Sequence, residues 1–304
     1  MGHTFEQHPS AVRVTAALVL VQLLFGINYV LSKQVVTVFP PLVWASSRLW
    51  VSSLVMLAVA AVLRWEHRPK WTREFFGRLM VFTLLGTVIN QACFLVGLRY
   101  TTSTNSAVLN TLTPLFTLML VIAQGREVAT SRRILGFLSA FVGVLVLRKF
   151  EEFSLSDQTL VGDLLTLVNC MSMAVFLSLS QRFLQENDRL WATAWMFFFG
   201  AISMTGLALP DWVHFEPPVW TAELAWLSAY AIIGGTLATY FLQNWALAYA
   251  PPTRVALLIY LQPVIAGAFG WWWAGAEVSL RTGIATGLIF GGMLLARQEK
   301  RASS

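Results

Sequence analysis

Ten apolar stretches, each close to the length that crosses a bilayer, constrain this chain more than any other feature. A helix needs about 20 consecutive apolar residues to span the hydrocarbon core. The windows 14–33, 41–63, 79–98, 105–123, 134–149, 162–182, 190–210, 224–247, 254–274 and 279–297 qualify. The connections between them are short, so no separate soluble domain fits. Only 12% of the 304 residues are charged, whereas soluble domains carry about 25%. Outward-facing side chains must then meet lipid, and the expected fold is an all-α membrane protein with ten transmembrane helices. The first window sits where a signal peptide would. It lacks a small-residue cleavage site and is read as a retained helix.

The net charge of +6 does not point to nucleic acid, because the basic residues occupy short segments between apolar runs. Their distribution predicts orientation. With the N-terminus inside, fifteen lysines and arginines fall on the inner side (Arg13; Arg64, Arg68, Lys70, Arg73 and Arg78; Arg126, Arg132 and Arg133; Arg182 and Arg189; Arg254; Arg297, Lys300 and Arg301). Five fall outside: Lys33, Arg99, Arg148, Lys149 and Arg281. This bias predicts both termini cytoplasmic, with a bacterial inner membrane as the expected location. Most of the tryptophans fit an aromatic belt at the two interfaces; Trp50 and Trp195 are the better candidates for binding.

Cys93 and Cys170 lie inside apolar spans and His3, His8, His67 and His214 outside them, so no metal-ligand set is visible. No cofactor is expected. No Walker motif is present, which argues against ATP as direct driver. An intramembrane enzyme is not expected either, since no span holds a paired carboxylate, a histidine or a nucleophile with a visible base.

The chain repeats itself at an offset of 149. Nine of the 29 positions in 86–114 are identical to 235–263: Gly86/Gly235, Thr87/Thr236, Leu98/Leu247, Tyr100/Tyr249, Thr104/Thr253, Ala107/Ala256, Leu109/Leu258, Leu112/Leu261 and Pro114/Pro263. The reading is two five-helix repeats, 1–150 and 151–304. Five is odd, so the second repeat enters the membrane inverted. Inverted repeats recur in carriers because the halves can exchange conformations and open a central site to either side in turn. Duplication in a protein without flux is the alternative.

Several segments resemble the drug/metabolite transporter superfamily, in particular its ten-helix EamA-type members. Phe25 to Lys33 (FGINYVLSK) is similar to the Trp-Gly-x-Asn-Phe…Lys pattern, with Phe25 in place of the tryptophan. Pro40, Pro41 and Arg48 fit, as do Leu98 to Thr117 with Glu127, Gly136 and Gly143. Gly162 and Asp163 match the start of the sixth helix, and Ala246 to Val264, Glu277 and Gly287 restate the signature in the second half. The resemblance implies a transporter of small metabolites, often an exporter of amino acids or related compounds.

Charge at membrane depth is costly, so Arg48 needs a partner. It either contacts a substrate carboxylate or fixes helix packing. Thr87, Asn90, Gln91 and Phe94 share the i, i+3, i+4, i+7 spacing of one helix face, and their repeat mates are Thr236, Thr239, Tyr240 and Gln243. A pseudo-twofold axis would set these stripes opposite each other across a cavity; the alternative is polar helix–helix packing. Pro114 and Pro263 at mid-span are expected to kink their helices and act as gates, or to be static kinks. Asn110, Thr113, Tyr260 and Gln262 lie within a turn of them, and Asn28 is a further cavity candidate. Gly283, Gly287 and Gly291 form a small-residue ladder suited to close packing, internal or in a dimer. No Asp or Glu lies mid-span, so uniport is expected, with partners limited to the bilayer and a small-molecule substrate and the protein a monomer or homodimer. A proton-coupled multidrug or metabolite exporter is the competing transport reading. A non-transporting receptor or assembly protein is the competing class.

Overall fold

The computed structural model describes residues 9–101, 109–147, 159–274 and 280–296. Glu277, Thr104, Ala107, His3, His8, Arg148, Lys149, Arg297, Lys300 and Arg301 lie outside the described residues. The described residues contain no strand and form ten helical rods. In chain order these are α1 (Ala11–Val38), α2 (Pro41–Leu63) and α3 (Arg73–Thr83, Leu84–Ile89 and Asn90–Tyr100). Then come α4 (Leu112–Ala123, preceded by 109–110), α5 (Ser131–Leu147), α6 (Leu160–Glu186) and α7 (Arg189–Val213). The last three are α8 (Ala222–Ile232, Ile233–Ala238 and Thr239–Tyr249), α9 (Pro252–Leu258 and Leu261–Ala274) and α10 (Leu280–Ala296).

Seven helical stretches are long and apolar enough to span a membrane, and shorter apolar helices accompany them. Val62, Leu207 and Phe290 turn large apolar side chains outward. In water such a surface would aggregate; in lipid it is the solvated face.

Several helices run past the apolar windows because their ends are capped by polar residues. Thr72 starts α3 by accepting a hydrogen bond from the Phe75 amide at 3.1 Å, and Thr221 does the same for Leu224 in α8. Asp188 caps α7 through the amides of Leu190 and Trp191, both at 3.0 Å. Pro41 and Pro252 open α2 and α9 at the first helical position, where a missing N–H costs nothing. Gly125 (φ 66°) ends α4, its amide reaching back to the Ile122 carbonyl.

The repeat is visible in the backbone. A π-helical segment interrupts α3 at Leu84–Ile89 and α8 at Ile233–Ala238, both bounds shifted by 149. Both hold the Gly-Thr pair. A Cβ on Gly86 would lie 2.6 Å from the Phe176 ring of α6, and one on Gly235 would run into the Asn28 amide of α1. The glycines therefore let α6 and α1 seat against the two widened turns. The helices also break at equivalent places. α4 has a turn at Thr111 and α9 at Ile259 and Tyr260, three to four residues before Pro114 and Pro263. In α9 the Tyr260 amide bonds Leu257 and the Gln262 amide bonds Ile259, a tightened turn ahead of the residue that has no N–H to give. The expected kinks thus appear upstream of the prolines.

Helix pairing follows the same symmetry. α2 packs along α7 and α5 along α10, while α1 packs on α8 and α9 as α6 packs on α3 and α4. At the α5–α10 contact, Gly143 lies against Ala285 and Ile289, and Gly292 against Gly136 and Ala140. The internal-packing reading of the Gly283, Gly287 and Gly291 ladder is corrected: a Cβ at any of the three meets nothing within 4 Å. Gly292, one residue away and so turned toward α5, is the glycine used.

Candidate functional site

Where α2, α3 and α8 meet, Arg48 donates from Nη2 to Gln91 Oε1 at 2.6 Å. The Gln91 Nε2 group donates to the Tyr240 hydroxyl at 3.2 Å. Gln91 and Tyr240 are repeat mates, 149 residues apart. Two mates can touch only beside the axis that relates the halves. Ser139 and the Leu288 carbonyl, also 149 apart, mark the same axis on α5 and α10. The Tyr240 ring is held edge-on by Phe25 of α1 (5.8 Å) and Phe197 of α7 (5.3 Å). A hydrogen bond to a charged group contributes about 1.5–3 kcal/mol, which offsets part of the cost of holding a guanidinium at membrane depth.

A cavity of about 270 Å³ adjoins Arg48 at the end of the bundle that carries the 39–40 and 214–221 connections. Phe39, Trp44, Phe215 and Trp220 form much of its wall, with Ser47, Val51, Pro217, Pro218, Ser228 and Ile232. Phe39 is the hub of the aromatic wall, with ring centroids 5.2 Å from Trp44 and 5.9 Å from both Phe215 and Trp220.

The stripe on α3 does not act as one surface. Asn90, one position from Gln91, points about 100° away and donates to Asn169 Oδ1 on α6 at 2.5 Å. Asn169 in turn donates to Asn110 at 2.6 Å, so three amides join α3, α6 and α4. Thr87 is buried in the π segment against Gly200 of α7. Phe94 packs against the α2–α7 core. On α8, Thr239 bonds the Thr236 carbonyl within its own helix. Gln243 is buried with an unpartnered Nε2, as is the Tyr260 hydroxyl on α9. Gln262 donates to Gln22 of α1 at 2.7 Å, and Thr113 is buried with its carbonyl accepting from Thr117. Asn28 lies against Gly235. Pro114 and Pro263 sit beside their helix breaks. Trp50 donates to Thr205 at 2.9 Å and ties α2 to α7, while Trp195 joins an aromatic group with Trp71, Trp191 and Phe199.

Sequence reading missed Asn169, Trp44 and Ser228. Asn169 had a signal, an amide in the apolar run 162–182. Trp44 was absorbed in the aromatic belt, and Ser228 carries no pattern of its own.

The opposite end of the bundle carries a network of ion pairs and hydrogen bonds. Arg133 forms a buried ion pair with Glu127 and donates to Thr253, and the Thr253 hydroxyl donates to Glu127 at 2.7 Å. Arg126 donates to the Ser178 carbonyl, and Gln181 and Gln185 donate to the Ala250 and Ala248 carbonyls, both at 2.8 Å. A second, more polar cavity of about 360 Å³ lies among these groups. The α4–α5 and α8–α9 connections are thereby fastened to each other and to α6.

The model of the EamA-like transporter family matches the chain twice, over residues 14–149 and 160–298. An uncharacterized transporter of Archaeoglobus fulgidus is 26% identical over 285 residues, covering 91% of this chain and 95% of its own length. The uncharacterized transporter YoaV of Bacillus subtilis is 21% identical, with 93% and 94% covered. A WAT1-related protein of Arabidopsis thaliana is 23% identical, with 92% and 79% covered. A solved crystal structure superposes with a TM-score of 0.78 over 94% of this chain and 97% of that one, at 18% identity, a likeness of fold. The chain belongs to the EamA-like transporter family, within the drug/metabolite transporter superfamily. It is an integral membrane transporter and not an enzyme.

Proposed function

We propose that this member of the EamA-like family carries small amphipathic metabolites, amino acids or related compounds, across the membrane by alternating access at the Gln91–Tyr240–Arg48 junction. The carrying observation is the hydrogen bond between the repeat mates Gln91 and Tyr240. A contact on the axis belongs equally to both halves, so any exchange of their conformations must pass through it. The cavity beside it supplies a chamber at one end, and the Glu127–Arg133–Thr253 network a closure at the other. With both termini cytoplasmic, as the fifteen-to-five basic bias favours, the chamber opens to the periplasm and the closure faces the cytoplasm. This describes an outward-facing state of an inner-membrane exporter that works as a uniporter.

The test is a melting-temperature screen of the purified protein with small amphipathic solutes, since a ligand that binds the native state raises its Tm. Counterflow in proteoliposomes follows with each stabilising solute. Saturable counterflow is expected. Stabilisation without counterflow would favour a receptor and sink the carrier reading.

A further inference from the structure

Three residues of the Arg48 cavity hold polar atoms that are buried and have no hydrogen-bond partner among the described residues: Arg48 Nε, Trp44 Nε1 and Ser228 Oγ. Arg48 uses Nη2 on Gln91, which leaves Nε idle. Trp44 and Ser228 are each only 4% exposed, so their polar atoms have lost water as well. An unsatisfied buried group costs about 1–3 kcal/mol, and three around one cavity of about 270 Å³ call for an acceptor. Two of them, Arg48 Nε–H and Trp44 Nε1–H, can only donate, and the Ser228 hydroxyl can. Among the described residues no Asp or Glu lines the cavity. The Ser47 hydroxyl is already bonded to the Val43 carbonyl, and the rest of the wall is aromatic and apolar, with Phe39, Phe215, Trp220 and Ile232 prominent.

We infer that the cavity is a binding site for a small carboxylate anion with an apolar, ring-bearing body, its carboxylate held by Arg48, Trp44 and Ser228. The inference rests on the carrier reading above and, of the amino acids or related compounds named there, assigns the cargo to related carboxylates that lack the ammonium group. A guanidinium with added N–H and O–H donors matches the two oxygens and several lone pairs of one carboxylate. The ring then lies among Phe39, Phe215 and Trp220, where offset and edge contacts are favourable. An ammonium group gains nothing here: the site offers it no carboxylate, and Arg48 repels it. The site therefore selects the simple acid over the zwitterion of the same shape. Arg48 thereby serves both roles open to it, with Nη2 fixing packing and Nε facing cargo.

The experiment compares three probes of similar shape, 3-phenylpropanoate, 3-phenylpropanamide and phenylalanine, by binding to detergent-purified protein (Trp fluorescence and calorimetry) and, separately, by counterflow. The acid is expected to bind tenfold or more tightly than the amide and the zwitterion. Trp44→Phe keeps the ring and removes the N–H, and Ser228→Ala removes the hydroxyl. Each should weaken the acid about tenfold, as for a lost bond to a charged group, and leave the amide within twofold. Both variants keep the Arg48–Gln91 bond, and an unchanged Tm would report an intact fold. Equal binding of acid and amide, no binding of either, or an acid affinity that ignores both substitutions would overturn the carboxylate site. Selective acid binding without counterflow of any probe would leave the site standing and overturn the carrier.

Discussion

At the scale of single residues, Gln91 carries the most weight because it touches both a charge and its own repeat mate. Removing it strips Arg48 Nη2 of its acceptor and frees the Tyr240 hydroxyl. Losing one such bond costs about 1–3 kcal/mol, or roughly 5- to 150-fold in affinity. Gln91→Ala and Tyr240→Ala should each reduce counterflow by such a factor at wild-type abundance. Wild-type flux in both would show that this contact is packing alone. Val88 and Leu95, off the polar stripe, suit poorly as controls because both are buried in the α2–α7 core. Exposed Val81 is the cleaner choice, and Val81→Ala should leave flux and Tm unchanged. Asn90→Ala should act differently. It breaks the amide chain through Asn169 to Asn110, so its cost belongs in the Tm before it belongs in transport.

At the scale of helices, the sequence made the rods and the repeat legible and left their contacts open. Apolar length locates a span, because lipid admits only segments whose backbone bonds are internal. It says nothing of the polar caps at Thr72 and Thr221, which extend α3 and α8 beyond the apolar windows. The Gly86/Gly235 match was readable as a repeat; that both glycines admit a neighbouring helix to a widened turn was not. The α3 stripe assumed 3.6 residues per turn, and the π segment at Leu84–Ile89 breaks that period. Thr87 therefore falls on α7, while Asn90 and Gln91, about 100° apart on the regular helix that follows, go to different neighbours. The glycine ladder failed by one residue. Three evenly spaced glycines looked like a packing face, yet the α5–α10 contact is made by Gly136, Gly143, Ala285 and Gly292. This yields a direct comparison. Gly143→Leu and Gly292→Leu would drive a side chain into backbone atoms less than 3 Å from where its Cβ must sit, and each should lower the Tm by several degrees or prevent insertion. Gly287→Leu meets open space and should leave the Tm of the monomer unchanged.

At the scale of the whole molecule, the two halves and the cargo's charge decide what can drive transport. Two acids at helix ends, Asp163 and Glu127, are engaged. Asp163 accepts from Thr101 at 2.5 Å and from Thr159 at 3.0 Å, and Glu127 is paired with Arg133. A proton taken up at either must first break that set of bonds, which disfavours them as coupling groups. Arg48 is fixed to Gln91, which in turn bonds Tyr240 beside the axis, so a rocking of the halves is expected to move its charge little along the membrane normal. With the carboxylate cargo inferred above, the anion is then the charge that crosses. Moving one elementary charge through a potential of about 100 mV changes its free energy by about 2.3 kcal/mol, which corresponds to roughly 50-fold in concentration. Across an inside-negative membrane this force drives an anion outward, so uniport and export become one statement. In proteoliposomes with the potential set by potassium and valinomycin and no pH difference, 3-phenylpropanoate should accumulate on the positive side, by up to that factor per 100 mV. Protein-free liposomes under the same gradient correct for passive leak of the neutral acid. Accumulation that follows an imposed pH difference with the potential clamped at zero, above that leak and lost in Glu127→Gln or Asp163→Asn, would make the carrier proton-coupled and end the uniport reading.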